Sequence, residues 1–198
     1  MIKQHLIQVL ILVYMITISS YVVAESADQI VFDTTEEVLN RLQVDRNKLA
    51  KEPEYIKTII RELIIPHMDF ITMSELVLGN RWNELNQNKK ECFSNGFKNL
   101  LVERYAYILL SYKQQNISYQ SAKPIGEKGN VSIIQTLTRE GVKPLIIEYP
   151  MRPDANSWKV IDLVIDDVSL IRNYRKMFNK EIKHTGLENF VGSFQECN

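Results

Sequence analysis

The chain has 198 residues, of which 45% are hydrophobic and 24% are charged, a composition typical of an ordinary globular protein. Its 24 basic residues balance 24 acidic ones. This neutrality argues against a nucleic-acid-binding protein, whose surface would be basic.

The first 24 residues have the pattern of a secretory signal peptide. Lys3 gives a short basic start, an apolar run follows over residues 6–18, and residues 22–24 are small or short where a signal peptidase would cut. The run is shorter than the ~20 apolar residues of a membrane span, and an uncleaved anchor is the alternative. We therefore predict a signal peptide over residues 1–24 and a single domain over residues 25–198.

Helical periodicity dominates the first part of the mature chain. Asp28 is positioned to cap a first helix, and Pro53 suits the first position of another. Gly79 is the expected end of a short helix. Asn86 is the expected cap of the longest helix, which its apolar spacing extends to Tyr112.

The sequence period changes to that of strands between Ile117 and Asp166. Four segments rich in β-branched and aromatic residues are separated by short turn signals, which predicts a meander of four antiparallel strands. Ser169 then caps a last long helix ending at Gly186, and a short helix follows. Helices segregated at the ends of an antiparallel sheet indicate an α+β fold, with N-terminal helices, a four-stranded antiparallel sheet and C-terminal helices.

The fourth predicted strand, from Trp158 to Ile165, is apolar on both faces. Its period of two places Val160, Asp162 and Val164 on the same face as Trp158. A strand with one wet face would alternate apolar and polar residues. Either helices cover both faces of the sheet or one face lines a cavity, and the pattern leaves both interpretations open.

Residues 25–198 carry none of the common catalytic or nucleotide-binding motifs. The histidines His67 and His184 lie near helix ends, where capping or surface positions explain them. We predict no catalytic residue, no metal and no cofactor. Cys92 and Cys197 are the only cysteines, and the sequence leaves open whether they pair.

A basic run follows the last predicted strand. Arg172, Arg175 and Lys176 begin it, and they are candidates for docking to a partner or an anionic surface. The alternative is an ordinary solvated helix face.

Four segments carry a resemblance to a known family. They are "VLGNRW" at 77–82, "FSNGFKNLLVERYAYILLSY" at 93–112, "IEYPMR" at 147–152 and "WKVIDLVIDDVSLIRNYRKMF" at 158–178. Their order and spacing, behind a signal peptide, resemble the MlaC family, also called toluene-tolerance auxiliary proteins. The departures are Asp166-Asp167, where the family usually has Glu-Gly, and Asn86-Gln87, where Thr-Pro often opens the long helix.

The resemblance implies a periplasmic phospholipid carrier of Gram-negative bacteria and no enzyme. Such a carrier would move lipid between an outer-membrane lipoprotein complex and an inner-membrane ABC transporter complex, maintaining outer-membrane lipid asymmetry. It implies a twisted sheet and helices that enclose an apolar cavity, with phospholipid as cargo in a monomer. A diacyl lipid exposes about thirty methylenes at ~0.8 kcal/mol each, so it needs such a cavity to cross water.

The predicted cavity lining combines aromatic and aliphatic positions from the long helix, the sheet and the last long helix. These residues are Phe97, Leu101, Tyr105, Leu109, Ile133, Tyr149, Trp158, Val160, Ile171 and Tyr174. For each of them, ordinary core packing is the alternative.

Two other functions compete with the carrier. An isomerase-like enzyme with a pocket over the sheet could use Asp162 and Tyr149 for proton transfer. A buried Asp162 would otherwise need a partner, for which Arg175 or Tyr174 is the candidate. The other alternative is a secreted docking module without a ligand cavity.

Overall fold

The computed structural model describes residues 25–111, 116–126 and 128–197. The predicted signal peptide and Tyr112 lie outside the described residues. The α-helices are α1 (Ala27–Val44), α2 (Arg46–Lys51), α3 (Tyr55–Leu63), α4 (Phe70–Leu78), α5 (Gln87–Tyr105), α6 (Leu170–Thr185) and α7 (Leu187–Gly192). Four short 3-10 segments are Ile65–His67, Gly79–Glu84, Ala106–Ser111 and Gln195–Cys197.

One antiparallel sheet follows the first five helices and precedes the last two. Its strands are β1 (Asn116–Ile125), β2 (Asn130–Arg139), β3 (Val142–Asp154), β4 (Ser157–Val160), β5 (Val164–Ile165) and β6 (Val168–Ser169). The order is β1-β2-β3-β5-β6, with β4 also paired to β3. This confirms the predicted α+β class, while the sheet has six strands where the sequence predicts four.

The predicted fourth strand is interrupted rather than continuous. β4 pairs with the end of β3, and β5 pairs with Ile147 and Glu148 farther back along the same strand. Between them, the amide of Ile161 donates to the carbonyl of Pro150 over 2.8 Å. Asp162 and Val164 therefore do not continue the regular face of Trp158 and Val160, because the chain leaves the ladder at residues 161–163.

Helix boundaries follow the predicted caps in most places. The side chains of Asn86 and Ser169 accept from the backbone at the starts of α5 and α6, as predicted. The cap of α1 is Ser26, not Asp28. The Asp28 carboxylate instead accepts from the amide of Ala122 over 2.7 Å, so it ties α1 to β1.

Two other predicted helix boundaries shift. α3 begins at Tyr55, two residues after Pro53. The long helix that was predicted to reach residue 112 is α-helical only as far as Tyr105, and a 3-10 segment follows it. Gly79 ends α4 with a positive φ of 60°, a conformation that a residue without a Cβ adopts at little cost.

Three clusters of buried apolar side chains hold these elements together. The helical cluster joins α4, α5, α6 and α7, the sheet cluster joins α1 to the sheet, and the N-terminal cluster joins α2 and α3 to the end of α5. Met68 and Leu163 pack against both the helical and the sheet cluster. Leu163, an apolar residue of the predicted fourth strand, is therefore in contact with both the helical and the sheet cluster.

Candidate functional site

The sheet cluster is built on one face of the sheet. Ile133 pairs with Tyr149, and Met151 pairs with Val160, so these four side chains point the same way. Ala27, Ile30 and Val31 of α1 cover them, and Trp158 packs at the margin. Four of the ten predicted lining residues, Ile133, Tyr149, Trp158 and Val160, are therefore brought together between the sheet and α1.

A chain of hydrogen bonds crosses this apolar layer. The Tyr149 hydroxyl donates to Gln135 Oε1 over 2.7 Å, and Gln135 Nε2 donates to the Thr35 hydroxyl over 3.0 Å. Thr35 in turn donates to the carbonyl of Val31 over 2.7 Å. Gln135 is only 3% exposed, so these bonds supply partners that its buried amide requires. Burial raises the pKa of Tyr149, with a smaller contribution from Tyr119, and the phenol stays neutral at ordinary pH.

The sheet cluster reaches the protein surface beside this polar chain. Tyr119 pairs with Gln135 in the ladder and points to the same face. Its hydroxyl is buried, and no group in the described ranges accepts from it. Phe32 of α1 meets the Tyr119 ring edge-on at a centroid distance of 5.5 Å and is 44% exposed. An amphipathic ligand entering between α1 and the sheet would meet apolar rings and hydroxyl groups here.

The sequence patterns did not predict Thr35, Tyr119 and Gln135 as site residues. The signal for Gln135 was present, because it is a polar residue inside the apolar run "SIIQTL" of a predicted strand. Thr35 lies 100 residues away along the chain, and no local pattern links it to that strand.

Five other predicted lining residues lie in the helical cluster. They are Phe97, Leu101, Tyr105, Ile171 and Tyr174. Six aromatic rings interlock there at centroid distances of 4.9–6.3 Å, including Phe97 against Tyr174 at 5.3 Å. Such spacing is typical of a filled aromatic core. The Tyr174 hydroxyl is buried beside that of Tyr105, and burial raises its pKa.

Leu109, the tenth predicted residue, packs against the N-terminal cluster. The predicted lining set is therefore divided among three clusters. A role for each member in lipid contact stays a prediction.

A surface cavity of about 420 Å³ lies on another part of the molecule. Apolar side chains such as Phe70 and Ile71 line it together with charged ones, among them Asp69, Lys98 and Arg152. Arg152 forms ion pairs with Asp69 and Asp154, which also line this cavity. None of the ten predicted lining residues contributes to it.

Asp162 acts as an anchor for the start of α6. Its carboxylate accepts from the amides of Leu163 and Ile171 over 2.8 and 3.0 Å, and from the Ser169 hydroxyl over 2.5 Å. The expected partner, Arg175 or Tyr174, is therefore wrong for this carboxylate. Tyr149, its proposed partner in an enzyme, is hydrogen-bonded to Gln135 instead.

The three predicted docking residues differ in their surroundings. Arg172, Arg175 and Lys176 are all exposed on α6. The Arg175 guanidinium lies against Gly79, where a Cβ would come within 2.7 Å of its Nη2. Arg175 thus places positive charge at the C-terminal end of α4, where it interacts favourably with the carbonyl groups that have no partner within the helix.

The two cysteines form a disulfide, with a Cα–Cα distance of 5.1 Å. This bond fastens the 3-10 segment at the end of the chain to α5. Within residues 25–111, 116–126 and 128–197, no three His, Cys, Asp or Glu side chains come together as a metal site would require. In the same ranges, no helix is long and apolar enough to cross a membrane.

Comparisons with known proteins agree on one family. The MlaC protein family model matches residues 33–196. The "Intermembrane phospholipid transport system binding protein MlaC" of Haemophilus influenzae is 24% identical over 178 residues, which cover 88% of this chain and 83% of that protein. The "Toluene tolerance protein ttg2D" of Pseudomonas putida is 22% identical over 167 residues, covering 83% and 77% respectively.

A solved structure has the same fold. The phospholipid-binding protein from Ralstonia solanacearum, in complex with a phospholipid, matches with a TM-score of 0.76 and 23% identity. The match covers 87% of this chain and 97% of the other. Together with the family model, which spans most of the sequence, these findings establish that the chain belongs to the MlaC protein family.

Proposed function

We propose that this protein is a periplasmic phospholipid carrier and not an enzyme. It takes lipid between an outer-membrane lipoprotein complex and an inner-membrane ABC transporter complex, and so maintains outer-membrane lipid asymmetry. The observation that carries the proposal is the family match over residues 33–196. The names of the Haemophilus and Pseudomonas relatives and the phospholipid in the Ralstonia structure support the same cargo.

The apolar layer packed between α1 and the sheet is the part of this chain that we assign to the cargo. Its side chains are apolar, as acyl chains require, and Gln135, Thr35 and the tyrosine hydroxyls add polar groups that cross the layer. Ile133 and Met151 are fully buried in it, so α1 has to move away from the sheet for acyl chains to enter. Transfer of the tails out of water drives binding, and no bond has to be made or broken. The predicted contacts in the helical and N-terminal clusters would join this site only if the helices separate from the sheet.

The first experiment measures the cargo directly. The mature chain, exported to a bacterial periplasm, is weighed by native mass spectrometry before and after organic extraction. We expect a monomer carrying an adduct of phospholipid mass that extraction removes. A bare mass that phospholipid vesicles cannot convert to the adduct would contradict the carrier.

Two matched substitutions then locate the site. Ile133→Ala and Ile182→Ala each shorten a buried isoleucine, the first in the sheet cluster and the second in the helical cluster. Both substitutions should lower the free energy of unfolding by about 2–5 kcal/mol. We expect only Ile133→Ala to change the amount of lipid retained by folded protein. Equal lipid retention in both variants would move the site away from the sheet face.

A further inference from the structure

Four cationic residues form a row along the outer side of α6. Arg172, Lys176, Lys180 and Lys183 are spaced by four, four and three residues, and all are exposed. At ~100° per residue they fall within an arc of about 80°, and the row is ~16 Å long. The opposite side of the helix is buried in the helical cluster through Ile171, Tyr174, Phe178 and Ile182.

The row has no anionic partner in the described part of the chain. The ion pairs there use other cations, such as Lys89 with Glu188 and Lys57 with Glu103. Like charges four residues apart destabilise a helix slightly, so the row does not serve the stability of α6. Lys183 lies in the last turn, where a cation is favourable, but Arg172 lies in the first turn, where it is not.

We infer that this row, the α6 cationic row, is a landing surface for anionic lipid bilayers. Three of its four members are lysines, which are depleted at protein–protein interfaces but act well as point charges toward lipid phosphates. Met177, 46% exposed on the flank of the row, is the only large apolar side chain that α6 leaves exposed. A surface of this kind gives electrostatic contact without an apolar interface core, which favours a headgroup layer over an acidic protein surface.

Contact through the row is reversible because the chain carries no net positive charge to reinforce it. Each lysine or arginine near an anionic surface strengthens binding roughly fivefold, and salt screens the effect. The whole chain has equal numbers of basic and acidic residues. The chain as a whole therefore has no net attraction to an anionic surface, and contact through the row stays weak and reversible. This inference concerns the encounter with a membrane and does not depend on which cargo is held.

Vesicle binding tests the inference. The mature protein is sedimented with vesicles of phosphatidylglycerol and phosphatidylcholine, or of phosphatidylcholine alone, at low and high salt. We expect binding to the anionic vesicles only, and only at low salt. Lys176→Glu with Lys180→Glu should weaken this binding about tenfold or more, and the double glutamine variant should weaken it less. All variants should keep their thermal unfolding midpoint and the lipid with which they purify.

A matched pair elsewhere separates the row from net charge. Lys51→Glu with Lys128→Glu makes the same change in charge at two exposed lysines outside α6. We expect vesicle binding by this control to stay within about twofold of the unaltered protein. Equal losses in the two double variants, or no preference of the unaltered protein for anionic vesicles, would overturn the inference. The inference would also be overturned if Lys176→Glu with Lys180→Glu left vesicle binding unchanged but abolished binding to an acidic membrane protein. That result would assign the row to the protein.

Discussion

At the scale of single residues, loss of the Asp162 side chain should destabilise the start of α6. It accepts from two backbone amides and from Ser169, whose hydroxyl also accepts from the amide of Arg172. Asp162→Ala leaves all three donors without this acceptor at the start of α6. Since hydrogen bonds to a charged group contribute ~1.5–3 kcal/mol each and are not additive, we expect a loss of about 2–4 kcal/mol in unfolding free energy.

Urea unfolding of Asp162→Ala measures this loss, and Asp167→Asn is the control. Asp167 is exposed with a positive φ of 66°, a conformation that asparagine adopts easily. The control should stay within ~0.5 kcal/mol of the unaltered protein. If Asp162→Ala unfolds at the same urea concentration as the control, the carboxylate does not anchor α6.

The stability of the protein should fall at acid pH because of Asp69. Burial alone would raise the pKa of its carboxyl group, but hydrogen bonds from Thr72 and from Arg152 outweigh burial and hold the pKa below its ordinary value. Because the unfolded chain then takes up the proton first as pH falls, the stabilisation is present above pH ~4 and is lost as pH falls through the folded pKa.

Urea midpoints measured between pH ~6 and ~3 test this effect of Asp69. The unaltered protein should lose more stability over that range than Asp69→Asn, whose side chain cannot titrate. Parallel curves for the two proteins would show that the Asp69 carboxylate does not contribute to acid unfolding.

At the scale of elements, one glycine sets how closely the end of the chain approaches α5. A Cβ on Gly96 would come within 2.5 Å of the Phe194 ring. Glycine to alanine normally stabilises a helix interior by ~1 kcal/mol, but Gly96→Ala should destabilise by about 1–3 kcal/mol because the ring must move. Thermal unfolding measures the change.

Two further variants examine the cause of the Gly96 effect. Gly192 is also helical and has open space where its Cβ would be, so Gly192→Ala should be neutral or slightly stabilising. Adding Phe194→Ala to Gly96→Ala should cost less than the two single changes together, because the clash disappears. Additive losses would mean that the ring is not the obstacle.

Local chemistry explains which elements were predictable. Asn86 and Ser169 cap helices through atoms three residues away, so the sequence shows the pattern directly. Asp28 and Asp162 were misjudged because their partners come from other elements, β1 for the first and the start of α6 for the second. The break between β4 and β5 has the same origin, since the carboxylate of Asp162 lies in that break and holds α6.

At the scale of the whole molecule, the disulfide joins the end of the chain to α5 across a sequence separation of 105 residues. Restricting the unfolded chain over so long a loop gives about 2–5 kcal/mol of stability. We expect Cys92→Ser with Cys197→Ser to lower the thermal midpoint by several degrees. A reductant should lower the midpoint of the unaltered protein toward that of the double variant and leave the variant unchanged. Equal midpoints without reductant would contradict this stabilising role.

The candidate site was only partly predictable for a reason that concerns the whole fold. The spacing and type of the residues correctly indicated apolar side chains that are buried or half-buried, such as Phe97, Ile133 and Tyr174. They could not tell which cluster each would join, because Ile133 meets α1 whereas Phe97 meets α6. That choice depends on contacts between segments far apart along the chain.

The helical cluster also imposes an order on folding. It combines α4 and α5, which precede the sheet, with α6 and α7, which follow it, and the disulfide joins Cys92 of α5 to Cys197 beyond α7. A chain that folds as it emerges from its N-terminus completes the sheet before α6 and α7 are present, so it exposes Phe93 and Phe97 until those helices arrive. The interval between the appearance of these rings and the arrival of Phe190 and Cys197 is therefore when the chain most needs protection from aggregation.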